Sequence, residues 1–195
     1  MTVALAAVPQ PARADIAALA DATKEMAVGK ADAPLTIVEY ASLGCPHCAH
    51  FHHDVLPSLT KDYIETGKVR LVFHDFPLGT PALAAAMIAR CSGPERYFGF
   101  VDMFFRTQKQ WGTADNPLDA LTRVARFGGM AEADVKACLN NQALLDHLQK
   151  TKKQAFEERG VDATPYFFVG TEKVSGGLPY DEFKAIVERN LAKAK

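Results

Sequence analysis

The chain has 195 residues, a length typical of one domain with room for an insertion. Hydrophobic residues make up 48% and charged residues 23% of the chain, values that exclude a disordered, collagen-like or coiled-coil protein. The net charge of -1 provides no global positive field, so we expect no nucleic-acid partner. No segment reaches the roughly 18 consecutive apolar residues of a membrane-spanning helix. The most informative feature of the composition is its four cysteines.

The first 14 residues contain a short apolar run, TVALAAV, and end in Ala12-Arg13-Ala14, which has the small-x-small form of a signal-peptidase site. An even number of cysteines also favours an oxidising compartment. The positively charged residues that normally begin a secretory signal are missing. The alternative to a signal peptide is therefore an alanine-rich terminus without a targeting role. We predict that residues 1–14 are the remnant of a signal peptide.

The next elements predict a βαβ unit. Residues 15–26 have helix-like apolar spacing, and the β-branched run at residues 35–40 predicts a buried strand. Residues 46–66 have apolar positions every three or four residues, which predicts a helix that Gly67 ends and Pro57 kinks. A second strand is predicted at residues 69–73, parallel to the first and reached by a right-handed crossover.

The middle of the chain differs in character from both ends. Residues 81–159 are rich in Ala, Leu and Phe at helical spacing and predict four or five helices, interrupted near residues 92–94, 116–117 and 128–129. Strand character returns at residues 166–169 and 173–175, around a turn at Gly170, before a last helix over residues 179–192. The two ends therefore form one α/β layer, and the middle forms a helical insertion.

The tetrapeptide Cys45-Pro46-His47-Cys48 places two cysteines three residues apart at the start of the predicted helix. At this spacing both sulfur atoms lie on one face of a helix, close enough to form a disulfide. Pro46 suits the first helical position, so Cys45 falls at the cap, with its sulfur near the free amides. The positive helix end favours a thiolate at Cys45, and His47 adds a donor. We predict a redox-active pair.

The other two cysteines, Cys91 and Cys138, lie far from this motif and from each other. A structural zinc site built on a Cys-x-x-Cys pair normally needs a second pair at similar spacing, which the chain lacks, and we predict no metal or other cofactor. Cys91 and Cys138 both lie in helical pattern, and we predict a structural disulfide between them; two free buried thiols are the alternative. Closing this loop would contribute about 4 kcal/mol.

Two segments resemble the DsbA family of thioredoxin-fold thiol oxidases, in particular its alphaproteobacterial members. They are EYASLGCPHC at residues 39–48 and VDATPYFFV at residues 161–169, and the likeness extends over about residues 30–192. The resemblance implies an α/β fold, namely a thioredoxin fold with an inserted all-helical subdomain. We place the thioredoxin-like domain at residues 15–80 and 160–195 and the insertion at residues 81–159.

The resemblance also assigns roles to three further residues. Pro165 matches the family's cis-proline, which faces the cysteines and helps to bind extended substrate chains; a trans proline at the start of a strand is the alternative. Thr164 precedes it, and threonine there is common in the isomerase branch. Glu39 matches a buried acid that exchanges a proton with Cys48. A half-buried glutamate bonded to a lysine is the other interpretation of Glu39.

Two further groups of residues are predicted to have no part in binding or catalysis. Three histidines follow the motif, at positions 50, 52 and 53, and are predicted to form a solvated helix face in preference to a metal site. The aromatic stretch in the insertion is predicted to be core, with an exposed groove for unfolded chains as the alternative. It comprises Phe98, Phe100, Phe104, Phe105 and Trp111.

The function predicted from these features is that of a monomeric periplasmic oxidase in a Gram-negative bacterium. It donates the Cys45-Cys48 disulfide to reduced or unfolded secreted proteins, and the resemblance implies reoxidation by a DsbB-like membrane partner linked to quinone. Two alternatives stay open: an isomerase or reductase kept in the dithiol form, and a metal-binding, chaperone-like module.

Overall fold

The protein is described by a computed structural model that covers residues 16–194, and the predicted signal-peptide remnant at residues 1–14 lies outside the described residues. A five-stranded mixed sheet has the order β1-β3-β2-β4-β5. The strands are β1 Met26–Val28, β2 Leu35–Ala41, β3 Val69–Asp75, β4 Tyr166–Val169 and β5 Glu172–Ser175. Strands β2 and β3 are parallel, as predicted, and the other neighbouring pairs are antiparallel.

Helix α2 connects β2 to β3 and carries the cysteine motif at its first turn. It spans residues 46–64 in four consecutive segments of alternating α and π geometry, Pro46–His50, Phe51–Val55, Leu56–Leu59 and Thr60–Ile64. Pro57 does not end the helix: the π segment before it accommodates the ring and the missing N–H. Gly67 follows the helix with a φ of 75°, a conformation that favours glycine.

The helix predicted over residues 15–26 is wrong for most of its length. Helix α1 covers only Leu19–Ala22, and Met26–Val28 forms an edge strand instead. This strand pairs antiparallel with β3, in the register Met26 to Phe73. The edge of β3 offers a row of unpaired backbone groups, and their hydrogen bonds outweigh the helical periodicity of so short a segment.

Six helices follow β3, where four or five were predicted, and the segment they form at residues 80–159 is called the insert below. They are α3 Thr80–Cys91, α4 Pro94–Arg106, α5 Gln108–Gly112, α6 Pro117–Phe127, α7 Glu132–Leu139 and α8 Gln142–Arg159; helix α9, Tyr180–Lys193, follows β5. The predicted breaks coincide with helix ends. Two further ends lie near Thr107 and Asn141, where no glycine or proline signals them; Asn141 caps α8 by accepting from the Leu144 amide at 3.1 Å.

The two faces of the sheet are covered by different elements. On one face Ile37, Leu71 and Phe167 are buried against α2 and α9. On the other face Tyr40 and Phe168 lie under the end of α8. Alternation along β2 places Glu39 on the same face as Ile37, which directs an acidic side chain into the protein interior beneath α2.

The insert shares a hydrophobic core with Phe73 of the sheet and with the cysteine motif, and a buried polar network also joins it to the sheet. The aromatic stretch is core, as predicted: its residues Phe100, Phe104, Phe105 and Trp111 are buried, and Phe98 is half-buried. Cys91 and Cys138 form a disulfide that links α3 to α7. Arg90 donates to the Asp75 carboxylate at 2.6 Å, and the Tyr97 hydroxyl donates to the same carboxylate at 3.0 Å. This network fixes α3 and α4 to the end of β3, and so places the insert over the cysteine motif.

Within residues 16–194, no helix combines the length and apolar character needed to cross a membrane.

Candidate active site

Cys45 lies at the N-cap of α2, directly after the turn that leaves β2. Its backbone is extended, with φ of -89° and ψ of 120°, and Pro46 opens the helix. The turn is stabilised by Ser42, whose carbonyl accepts from the Cys45 amide at 3.0 Å and whose hydroxyl accepts from the Gly44 amide at 3.2 Å. An N-cap has free amides in the following turn, so the Cys45 sulfur lies where a negative charge is stabilised.

The segment before β4 approaches Cys45 from the far end of the chain. The peptide bond between Thr164 and Pro165 is cis. The Cys45 thiol donates to the Thr164 carbonyl at 3.3 Å, although the two residues are 119 positions apart. The Thr164 hydroxyl is buried without a hydrogen-bond partner among the described residues. It is therefore free to donate to Cys45 when that sulfur carries a negative charge.

Cys45 and Cys48 are free thiols with opposite electrostatic environments. The pKa of Cys45 is lowered to about 5, chiefly because the Cys48 thiol donates a hydrogen bond to its sulfur. Burial opposes this shift of the pKa, and hydrogen bonds from Thr164 and from the amides of Cys48 and His47 support it. Cys45 is therefore a thiolate at neutral pH, the form that attacks disulfides and leaves readily from them.

Cys48 is the protonated member of the pair. Burial raises its pKa far above the ordinary value, and the hydrogen bond to Cys45, the Cys45 charge and the Glu39 charge raise it further. Its side chain is completely buried, while Cys45 is 6% exposed. Of the two sulfur atoms, that of Cys45 is therefore the one open to an outside thiol.

Glu39 is completely buried near this pair, and its partner is His52, which neither interpretation of the sequence predicted. The His52 Nε2 atom lies 3.1 Å from both carboxylate oxygens of Glu39. His52 is itself buried, with its ring centroid 4.5 Å from that of Phe105. The prediction of a solvated histidine face is therefore wrong for His52. It holds for His50, which is exposed and pairs with Asp54 at the surface.

The exposed part of the motif is formed by Pro46 and His47. The His47 amide contributes to the low pKa of Cys45. No group of three or more His, Cys, Asp or Glu side chains suited to a metal ion occurs within residues 16–194.

Known proteins resemble this chain in both sequence and structure. A family model described as thioredoxin matches residues 21–189. The crystal structure of alpha-DsbA1 from Wolbachia pipientis superposes with a TM-score of 0.81 at 30% identity, over 87% of this chain and 92% of that one. The chain belongs to the thioredoxin family, among its DsbA-type members. The predicted resemblance and the predicted fold class, a thioredoxin fold with a helical insertion, are therefore confirmed.

Curated relatives of this DsbA-type chain carry names of the same kind. It is 30% identical over 172 residues, 88% of its length, to a putative protein-disulfide oxidoreductase of Rickettsia felis. It is 25% identical over 173 residues to disulfide bond formation protein D of Bacillus subtilis, covering 84% of this chain and 76% of that protein. The chain spans 62% of the length of the Rickettsia relative.

Sequence reasoning missed two residues that touch the site of this DsbA-type protein. His52 lies four positions after Cys48, a spacing that places both side chains on one helix face, and this signal was available in the sequence. Gln108 lies in the insert and donates to the Cys45 carbonyl at 3.0 Å. No local pattern marks Gln108, because its contact depends on how the insert lies against the motif.

We expect the reactivity of Cys45 to depend on the Thr164 hydroxyl. In the wild-type protein the rate of Cys45 alkylation should fall as the pH falls through about 5, because the pKa is lowered to that value. Thr164→Val removes a donor to the thiolate, so the midpoint should move to higher pH. Thr164→Ser keeps the hydroxyl and is the matched control. Equal midpoints for the valine and serine variants would show that the hydroxyl has no such role.

Proposed function

We propose that this protein is a periplasmic thiol-disulfide oxidase that donates the Cys45–Cys48 disulfide to folding secreted proteins. The observation that carries the proposal is the lowered pKa of Cys45, about 5, at the start of α2. A stabilised thiolate favours the reduced enzyme over its disulfide, and this makes the disulfide a stronger oxidant. The names of the Rickettsia and Bacillus relatives support the same chemistry.

The proposed reaction has two exchange steps. A substrate thiolate attacks the Cys45 sulfur of the enzyme disulfide, a mixed disulfide forms at Cys45, and the electron pair of the broken bond goes to Cys48, which takes up a proton. A second substrate thiolate then attacks the substrate sulfur of the mixed disulfide. Cys45 leaves as a thiolate, which its low pKa favours. Two substrate thiols become one disulfide, and the enzyme becomes a dithiol.

We propose that the substrate chain binds along the segment containing Thr164 and Pro165. The Pro165 carbonyl accepts from the Gly176 amide at 2.8 Å, so this carbonyl already has a partner inside the fold. The Thr164 carbonyl instead faces Cys45. As a thiolate or in a mixed disulfide the Cys45 sulfur has no proton to donate, and the Thr164 carbonyl is then available to a backbone amide of an extended substrate.

Each turnover leaves a dithiol that must lose two electrons. We propose that a DsbB-like membrane protein linked to quinone accepts them, and that the protein acts as a monomer without a bound cofactor. The slight exposure of Cys45 and the complete burial of Cys48 support a docked partner whose own cysteine reaches Cys45.

An isomerase or reductase is the second candidate, because threonine before the cis-proline is the one site feature that favours it. The test is the Cys45–Cys48 reduction potential against glutathione, together with the redox state of the pair in cells. The oxidase proposal predicts a potential well above that of thioredoxin and an oxidised resting state. A thioredoxin-like potential with a reduced resting state would overturn it. Stoichiometric copper binding by the reduced pair, with redox activity dispensable, would favour the metal-binding alternative.

A further inference from the structure

Gln108, the first residue of α5, reaches from the insert into the turn that carries Cys45. Its side-chain nitrogen donates to the Leu43 carbonyl at 2.7 Å and to the Cys45 carbonyl at 3.0 Å. Both partners are acceptors only, so the amide nitrogen must face them, and its two N–H groups are both used. The insert therefore bonds directly to the backbone of the nucleophile's own residue.

The two carbonyls depend on Gln108 to different degrees. Leu43 is 2% exposed, and within residues 16–194 no backbone amide donates to its carbonyl. The Cys45 carbonyl also accepts from the Ala49 amide at 3.1 Å, the first hydrogen bond of α2. An unpaired carbonyl in a buried residue is costly, so Gln108 fixes the orientation of the Leu43 peptide and adds a second restraint on that of Cys45.

The opposite side of the same turn is held by Ser42. The Ser42 hydroxyl accepts from the Gly44 amide at 3.2 Å and from the Leu78 amide at 3.0 Å. Ser42 therefore binds one amide of the turn and connects it to the segment after β3, whereas Gln108 binds two carbonyl groups of the turn. Because the backbone changes from extended to helical at Cys45, small rotations of these peptides move its sulfur relative to the amides of α2 and to Thr164.

We propose that Gln108 is a positioning residue for the nucleophile: by holding the Leu43 and Cys45 carbonyls it keeps the Cys45 sulfur facing the start of α2 and Thr164. The inference rests on the proposed thiol exchange at Cys45. Gln108 acts through the backbone, and it makes the reactivity of Cys45 depend on the placement of the insert.

The test compares Gln108→Met with Gln110→Met in the full-length reduced protein. Methionine keeps the length and neutrality of glutamine but donates no hydrogen bond. Gln110 lies in the same helix and is exposed, so it is a matched control. The readouts are the rate of Cys45 alkylation by iodoacetamide at neutral pH, the pH midpoint of thiolate formation and the thermal unfolding midpoint. We expect Gln108→Met to slow alkylation about tenfold, which corresponds to about 1.4 kcal/mol, and to move the thiolate midpoint to higher pH.

A purely structural role gives a different result. If Gln108→Met lowers the unfolding midpoint but alkylates and titrates like Gln110→Met, the proposal is overturned. Should Gln108→Met not fold, Gln108→Asn replaces it, since this shorter amide cannot span both carbonyls; slower alkylation supports the proposal and wild-type alkylation overturns it. Alkylation needs no protein substrate, so a Gln108 effect in a protein that lacks oxidase activity would refute the proposed function alone.

Discussion

Replacing Cys48 with alanine is expected to trap substrate proteins on Cys45 as mixed disulfides, and replacing Cys45 with alanine is expected to reduce exchange to the uncatalysed background. The reason is that the two cysteines differ in exposure and in protonation. Cys45 is 6% exposed and a thiolate, with a pKa of about 5, whereas Cys48 is completely buried and protonated. Without Cys45 no sulfur is accessible to a substrate thiol. Without Cys48 the mixed disulfide loses its internal route to resolution.

The measurement is non-reducing electrophoresis and intact mass after the reduced variants are mixed with an unfolded protein that carries disulfides, so that Cys45 can attack a substrate disulfide and displace a substrate thiolate. The Cys91→Ala/Cys138→Ala double variant is the matched control, since it removes the other two cysteines and leaves the motif unchanged. It should form and resolve mixed disulfides at the wild-type rate under conditions in which it stays folded. Exchange by Cys45→Ala at a rate near that of the wild type would refute the assignment of Cys45 as the nucleophile.

Replacing Glu39 with glutamine is expected to slow the steps that change the protonation of Cys48, by about a hundredfold. Cys48 must take up a proton when its disulfide is reduced and release it when the disulfide re-forms. Its side chain has no exposure to solvent, and Glu39 is the buried carboxylate whose charge acts on the pKa of Cys48. Glutamine keeps the shape of the side chain and removes the proton acceptor.

The role of His52 is tested by the same measurement. His52 contacts both oxygens of the Glu39 carboxylate, so His52→Phe leaves that group buried without its partner. We expect His52→Phe to slow resolution of the mixed disulfide and His52→Gln, which can still donate, to slow it less. His50→Gln, on the exposed side of the same helix, serves as control. Rapid-mixing rates that are the same for wild type and Glu39→Gln at every pH would exclude a proton relay through Glu39.

Much of the fold was predictable from local sequence. The parallel pairing of β2 and β3 follows from a βαβ pattern of two β-branched runs around one helical repeat. The hairpin of β4 and β5 follows from the turn at Gly170, which has a φ of 59°. Strand β1 was missed, because its three residues carry no pattern of their own and its hydrogen bonds come from the edge of β3.

The candidate site was also predictable only in part. The reactive cysteine pair was predictable, because Pro46 and the two cysteines lie within one helical turn and their reactivity follows from that local geometry. The partner of Glu39 was not, because it is set by how the second turn of α2 lies over β2. A buried glutamate is compatible with a lysine, a histidine or a proton, and sequence alone does not select among them.

The sequence by itself determined where the nucleophile lies and why it is reactive, since a cysteine at the cap of a proline-initiated helix needs only the backbone of that helix to stabilise its thiolate. The tertiary structure decided which groups surround it. Thr164 and Gln108 reach Cys45 from positions 119 and 63 residues away in the chain. Contacts at such separations depend on the packing of the sheet and the insert, and no local periodicity encodes them.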